Sequence, residues 1–325
     1  MIMKLGIVVS QKGEFNHENV TEAFQLVAQS GATITRHYLS WTDIETAPGV
    51  YTFSDYMINQ ARDAGLKLSV AFHTIRTGIV GPRPADMVGL AWDDPLLIER
   101  FSTMVLAFLN RYEDVVDYLE LGSEVNGYLE WHSEEVEPYR TFLIAVRNAV
   151  KMQHPTVQVG VVFAYRALKD GAAWSIYSRL SVGDFDGFTL YVYGDNFAHN
   201  KTPRRVLNEL REIEALTGNR QYAIEELGWT TSKMLSGSEC NQRRAVKYAF
   251  QFVNQADARL EFLTWFNLHD GQKPTCDQMA RSFFPPGSDP DPDDLALFSE
   301  FLCNFGLRRN DGTPKLAWDE WVKGP

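Results

Sequence analysis

Tyr118-Leu119-Glu120-Leu121-Gly122-Ser123-Glu124-Val125-Asn126 is an alternating apolar run that ends abruptly in a carboxylate flanked by small and amide residues. A buried strand has this look when it delivers an acid to the rim of a sheet. A second run of the same kind follows downstream, Tyr222-Ala223-Ile224-Glu225-Glu226-Leu227-Gly228-Trp229. Two strands that each end in glutamate imply a pair of carboxylates facing each other across a cleft. The rest of the chain reads as the scaffold that holds them.

Outward from these two runs, strand-like and helix-like patterns alternate from end to end, the signature of a mostly parallel sheet. The pattern predicts strands at Leu5–Val9, Thr33–Trp41, Leu66–His73, Val115–Glu124, Val157–Phe163, Gly187–Tyr193, Tyr222–Glu226 and Glu261–His269. Helices are expected between them, the strongest over Pro95–Tyr112, with others including His17–Gly31, Ala172–Leu180 and Asn241–Gln255. Eight strands is the count that closes a barrel. The expected fold is therefore α/β, a single (β/α)8 TIM barrel over residues 1–325. Long loops are expected at about 74–94 and 271–294, and a helix-like stretch, Leu295–Phe305, closes the C-terminal region. An open doubly wound sheet would carry a glycine-rich phosphate turn after strand one, and Ser10-Gln11-Lys12-Gly13-Glu14-Phe15 has a single glycine.

Composition narrows the partners. The chain has 325 residues and a net charge of −11, with no basic run to neutralise phosphates, so a nucleic acid is not expected. No run approaches a membrane span, and no membrane partner is expected. The apolar start Met1–Ser10 is too short for a signal segment and reads as a first strand. The 3 cysteines, Cys240, Cys276 and Cys303, are far apart and odd in number, which implies neither zinc nor a disulfide framework. A reduced, cytoplasmic protein is expected, unless a leader has been removed. The 7 histidines form no HxH or HExxH, and Gly-x-Ser-x-Gly is absent, so no metal and no cofactor are expected. The aromatic fraction of 13% suits a cleft lined with flat rings and a neutral substrate. Nothing in the sequence specifies an oligomeric state.

Side chains along a strand alternate between the barrel interior and the helix layer. In strand four, Leu119 and Leu121 face the helices, while Glu120, Gly122 and Glu124 point inward with Glu124 at the rim. In strand seven, parity does not choose between Glu225 and Glu226. Glu120 lies deeper and needs a partner to be tolerated; Arg36 of strand two is the candidate. Two inward carboxylates suit cleavage of a glycosidic bond, one protonated to donate to the leaving oxygen and one ionised to attack carbon or activate water.

These residues resemble the clan A glycoside hydrolases, retaining (β/α)8 enzymes with an acid/base after strand four and a nucleophile after strand seven. Gly122-Ser123-Glu124-Val125-Asn126 resembles the first motif and Glu226-Leu227-Gly228-Trp229 the second. The match implies Glu124 as acid/base and Glu226 as nucleophile. Arg36 resembles the strand-two arginine of the clan. The stretch from Trp41 to Phe53 is similar to its W-x-x-I-E-x-x-P-G-x-Y-x-F segment, and Gly306–Trp318 to its closing segment. One position departs: Ser123 stands where the clan has an asparagine that holds the 2-hydroxyl of the sugar. Either Ser123 reaches through water, Asn126 compensates, or the substrate differs there.

The resemblance implies a retaining hydrolase of β-glycosidic bonds in an oligo- or polysaccharide, with a carbohydrate substrate. The alternative is a catalytically inactive barrel that binds carbohydrate or a protein partner, and transglycosylation would use the same residues. Further substrate-binding candidates are Arg36, His73 at the end of strand three, Ser123, Asn126, Tyr193, and the stacking platforms Trp229 and Trp265. Tyr193 is preferred to Tyr191 because it lies nearer the predicted rim. Asn267, His269 and Asp270, which extend strand eight, and Trp131 and His132, in the loop after strand four, are outer candidates.

Overall fold

The computed structural model describes residues 4–169, 173–193, 202–284 and 287–325. The barrel strands are β1 (Lys4–Ile7), β2 (Ile34–Leu39), β3 (Lys67–Arg76), β4 (Val116–Ser123), β5 (Gln158–Ala164), β6 (Phe185–Tyr191), β7 (Gln221–Gly228) and β8 (Leu260–Trp265). Their hydrogen-bonded order is β2-β1-β8-β7-β6-β5-β4-β3, and β2 also pairs with β3, which closes a (β/α)8 barrel. The pairings of β1 with β8, β7 with β8, β3 with β4, β4 with β5 and β5 with β6 are all parallel. The chain divides into two compact units, residues 1–35 with 190–325 and residues 36–189; the division falls inside β2 and inside β6.

In the unit of residues 36–189, the helix Pro95–Tyr112 forms as its spacing predicts. Asp94 caps it by accepting from the Leu96 N–H at 2.8 Å, and Pro95 supplies the preset first turn. Its buried face, including Leu97, Phe101, Met104, Val105 and Phe108, packs on β3. There Phe72 meets Phe101 and Phe108 edge-on at 5.8 and 5.5 Å. The motif that starts at Trp41 is a latch around one buried carboxylate. Glu45 accepts from Trp41 Nε1 at 2.6 Å, the Gly49 N–H at 2.7 Å and Arg100 Nε at 2.8 Å. The expected loop at 74–94 is more ordered than its glycines and prolines suggest. β3 runs on to Arg76 and turns back to pair antiparallel with Ile79–Val80. A short helix, Tyr165–Lys169, also follows β5 without having been foreseen. The predicted helix Ala172–Leu180 is observed as Trp174–Leu180; Ala172 lies outside the described residues.

In the unit of residues 1–35 and 190–325, the C-terminal segment is tied back to the strand ends. Asp270 accepts from Lys315 Nζ at 2.7 Å and from the Gly306 N–H at 2.9 Å. Burial pushes the Asp270 carboxyl up to about 6 and the Lys315 amine down, and their pairing opposes both shifts. His269 exchanges hydrogen bonds with Ser10, its N–H donating to the Ser10 hydroxyl at 2.8 Å and that hydroxyl donating to the His269 carbonyl at 3.0 Å. Within 271–294, the segment 273–281 is helical (Lys273–Arg281) and packs against the helix Pro292–Cys303. Among the described residues, no helix is long and apolar enough to cross a membrane.

One expectation is overturned here. Cys276 and Cys303 form a disulfide between these two helices, so the chain is not the fully reduced protein that its cysteine count implied. A separation of 27 residues carries no motif, and only the packing of the unforeseen helix Lys273–Arg281 against Pro292–Cys303 brings the sulfurs together. Closing a loop of that length is worth about 3–4 kcal/mol in the chain-entropy account. Thiol titration of the denatured, unreduced protein is expected to find one reactive thiol, Cys240, and three after reduction. Reduction should also lower the stability measured by urea unfolding by that amount. Three thiols before reduction would refute the pairing.

Candidate active site

Within residues 36–189, the chain leaves β4 by a sharp backbone reversal. Gly122 has φ +95°, and a Cβ there would lie 2.5 Å from the Tyr139 hydroxyl and 2.6 Å from Val125 Cγ1. Glu124 itself has φ +55°, left-handed, and immediately precedes the short helix Val125–Leu129. A non-glycine residue held in this region costs on the order of 1–3 kcal/mol, and such residues cluster at functional sites. Thr77, at the turn after β3, is also left-handed (φ +53°) and donates from its N–H to the Ser123 carbonyl at 2.9 Å. The Glu124 carboxyl accepts from the Thr77 hydroxyl at 2.6 Å on Oε2 and from the Thr189 hydroxyl at 2.5 Å on Oε1.

Beneath this turn is a buried ion pair. Arg36 Nε donates to both Glu120 oxygens, at 2.8 and 3.0 Å, and Arg36 Nη2 also reaches Glu120. Ser69 donates to Glu120 at 2.6 Å, and Arg36 Nη2 donates to the Ser123 hydroxyl at 3.2 Å. Arg36 is 3% exposed and Glu120 0%. The expected Arg36–Glu120 pairing is thus present. Arg36 and Ser123 stand in the floor of the barrel, bonded to each other, and not on a surface open to a sugar. His73 is half-buried, with its ring 5.4 Å from that of Tyr38. Burial first, then the Arg36 and Arg76 charges, push its imidazole down to about 3, so it is neutral at neutral pH and can both donate and accept. Asn126 is corrected as a substrate contact. It is 0% exposed, and its amide is bonded at both ends to the Ala164 backbone, at 3.1 and 2.8 Å, which pins the short helix to β5. Beyond that helix, Trp131 is 82% exposed and His132 stacks on Tyr128 at 4.1 Å.

Within residues 1–35 and 190–325, β7 ends at Gly228. Glu226 is 9% exposed and accepts a hydrogen bond from the Tyr191 hydroxyl, whereas Glu225 is 0% exposed. Between the two glutamates that parity left open, Glu226 is the one with an edge reachable by solvent. Gly228 makes the tyrosine contact possible, because a Cβ there would sit 2.6 Å from Tyr191 Cε1. The tyrosine on the glutamate is therefore Tyr191, where the sequence favoured Tyr193. β6 ends two residues earlier than predicted, and Tyr193 packs edge-on to Phe301 at 5.0 Å.

Both tryptophan platforms are corrected. Trp229 and Trp265 are 0% exposed and offer no ring face to a ligand. Trp229 shares strand parity with Leu227 and so points to the helix layer, where Gln242 donates to its carbonyl at 3.0 Å. Trp265 pairs in register with Ile7 and Leu227 and donates from Nε1 to the Phe305 carbonyl at 3.0 Å. The half-buried ring at this strand end is Phe266, edge-on to Tyr191 at 6.0 Å. His269 and Asp270 serve the C-terminal ties described above. Thr77, Thr189 and Phe266 were missed as site residues, and Tyr191 was ranked behind Tyr193. On strand six the sequence singled out only Tyr191 and Tyr193, and nothing local marked Thr77.

Protein-family models and curated protein sequences yield no match to this chain. Solved structures do. A GH5_18 protein from Bifidobacterium longum is 14% identical with a TM-score of 0.71, the alignment covering 99% of this chain and 78% of that one. A GH5_18 variant from Streptomyces cattleya, solved with Manβ1-4GlcNAc, is 14% identical with a TM-score of 0.70, covering 99% and 79%. The exo-β-1,4-mannosidase Op5Man5 from an Opitutaceae bacterium is 13% identical with a TM-score of 0.70, covering 99% and 59%. The chain shares the barrel fold of these proteins.

Two stability measurements follow from this geometry. Glu120→Ala leaves Arg36 buried and uncompensated and should cost about 3–5 kcal/mol in urea unfolding; a loss below 1 kcal/mol would show that the pair does not hold β2 to β4. His73 refuses a proton that the unfolded chain binds at pH 6.5 and below. Its contribution is therefore fully present above pH 6.5 and falls as the pH drops toward about 3, by about 1–3 kcal/mol. His73→Asn should flatten that slope, and an unchanged slope would argue against the burial of its ring.

Proposed function

We propose that the chain is a retaining glycoside hydrolase in one catalytic barrel, residues 1–325, with Glu124 as acid/base and Glu226 as nucleophile. The observation that carries the reading is the placement of each acid. Glu124 follows the C-terminal end of β4 in a left-handed conformation with both oxygens held, and Glu226 stands near the C-terminal end of β7 oriented by Tyr191. In barrels of this type the chemistry sits at those strand ends. Glu226 attacks the anomeric carbon as Glu124 protonates the departing oxygen. Glu124 then takes a proton from water as that water displaces Glu226. Arg36, His73 and Ser123 shape the floor, Phe266 and Tyr193 supply ring surface, and a carbohydrate is the substrate. A β-mannoside is the first substrate class to try, because a Manβ1-4GlcNAc complex and an exo-β-1,4-mannosidase stand among the structural neighbours.

The test is turnover of aryl β-glycosides and β-1,4-linked manno-oligosaccharides, with the anomer of the first-formed product read by proton NMR. The expected result is a β-configured product. Glu226→Gln should lower kcat by at least about 10³-fold, in line with loss of the group that forms the covalent glycosyl-enzyme. Glu124→Ala should be rescued by azide on substrates with good leaving groups. An α-configured product would exclude retention. Sugar binding without turnover across mono-, oligo- and polysaccharides would make the chain a binding barrel.

A further inference from the structure

The Glu124 carboxyl is gripped at both oxygens by hydroxyls from two other elements. Thr77 lies at the tip of the hairpin that β3 makes with Ile79–Val80, fixed by its N–H to the Ser123 carbonyl. Its own carbonyl packs so closely on Gly127 that a Cβ there would lie 2.6 Å away. Thr189 is 2% exposed, and the pleat of β6 fixes its direction. The two contacts, at 2.6 and 2.5 Å, are within the range of strong hydroxyl–carboxylate hydrogen bonds.

We propose that Thr77 and Thr189 are positioning residues that fix the plane of the Glu124 carboxyl and set its affinity for the proton it gives and takes. The inference rests on Glu124 being the acid/base. In the first step the proton leaves Glu124 for the glycosidic oxygen while the C–O bond breaks and the bond to Glu226 forms. The carboxylate that appears receives two donated hydrogen bonds. In the second step the same two bonds weaken it as a base while it removes a proton from water. Because a hydroxyl both donates and accepts, the clamp accommodates either protonation state. Removing a donor disfavours the charged form and raises the titration of the carboxyl. The other charged or titratable groups on the elements about this strand end include Arg36, His73, Arg76, Glu120, Tyr128, Tyr139, Tyr165 and Arg166. All of them are retained in the variants below.

Thr189→Val removes a hydroxyl at constant shape, and Thr77→Ala removes the other; Thr189→Ser and Thr77→Ser keep them. Carbon-13 NMR of glutamate-labelled protein, with the resonance assigned by its loss in Glu124→Gln, reads the titration directly. Each hydroxyl-free variant is expected to raise it by about one pH unit. The serine variants should return it to the native value, and the alkaline limb of kcat/KM on an aryl β-glycoside should move in step. A carboxyl titration unmoved in both folded hydroxyl-free variants overturns the clamp. A shifted titration in a protein that cleaves no glycoside supports the clamp and overturns the hydrolase reading instead.

Discussion

The arginine–carboxylate pair buried under β4 constrains the half of the barrel that carries Glu124. Neither Arg36 nor Glu120 touches solvent appreciably, so each charge depends on the other and on the serines about them. A charge in such a place without a partner is costly by several kcal/mol, so β2, β3 and β4 must keep their mutual register for the network to close. The network ends on Ser123, the residue before Glu124. The base of the turn that presents the acid is thereby anchored to the barrel floor.

Above that anchor, close backbone approach does the positioning. Gly122 lets the chain turn against Tyr139, after which Glu124 is held left-handed with Thr77 and Thr189 on its oxygens. The other acid obeys the same logic in mirror order. Gly228, two residues after Glu226, lets the Tyr191 ring come close enough for its hydroxyl to reach the carboxyl. Each glutamate is therefore oriented by hydroxyl groups from other elements, and each stands two residues from a glycine that allows a close approach.

Much of this was legible one residue at a time. Strand parity put Glu120 inside and predicted its arginine, and the run ending at Glu124 marked the strand end to within one residue. The errors are those of boundaries and of parity carried too far. β6 stopping at Tyr191 moved the site tyrosine by two positions. Trp229 and Trp265 are fully buried, where the resemblance to the clan had suggested sugar platforms. Asn126 looked like a substrate contact because it follows the acid, yet a helical turn aims it at Ala164.

By itself the sequence determined the alternation of eight strands with helices, the two strand-end glutamates and the sign of the charge balance. These follow from hydrophobic periodicity and side-chain alternation, which are local. The tertiary structure alone decided which hydroxyls grip Glu124 and which tyrosine serves Glu226. It also brought Cys276 to Cys303. Each of those contacts joins separate elements, and a backbone turn or a helix packing sets its geometry without leaving a pattern in neighbouring residues.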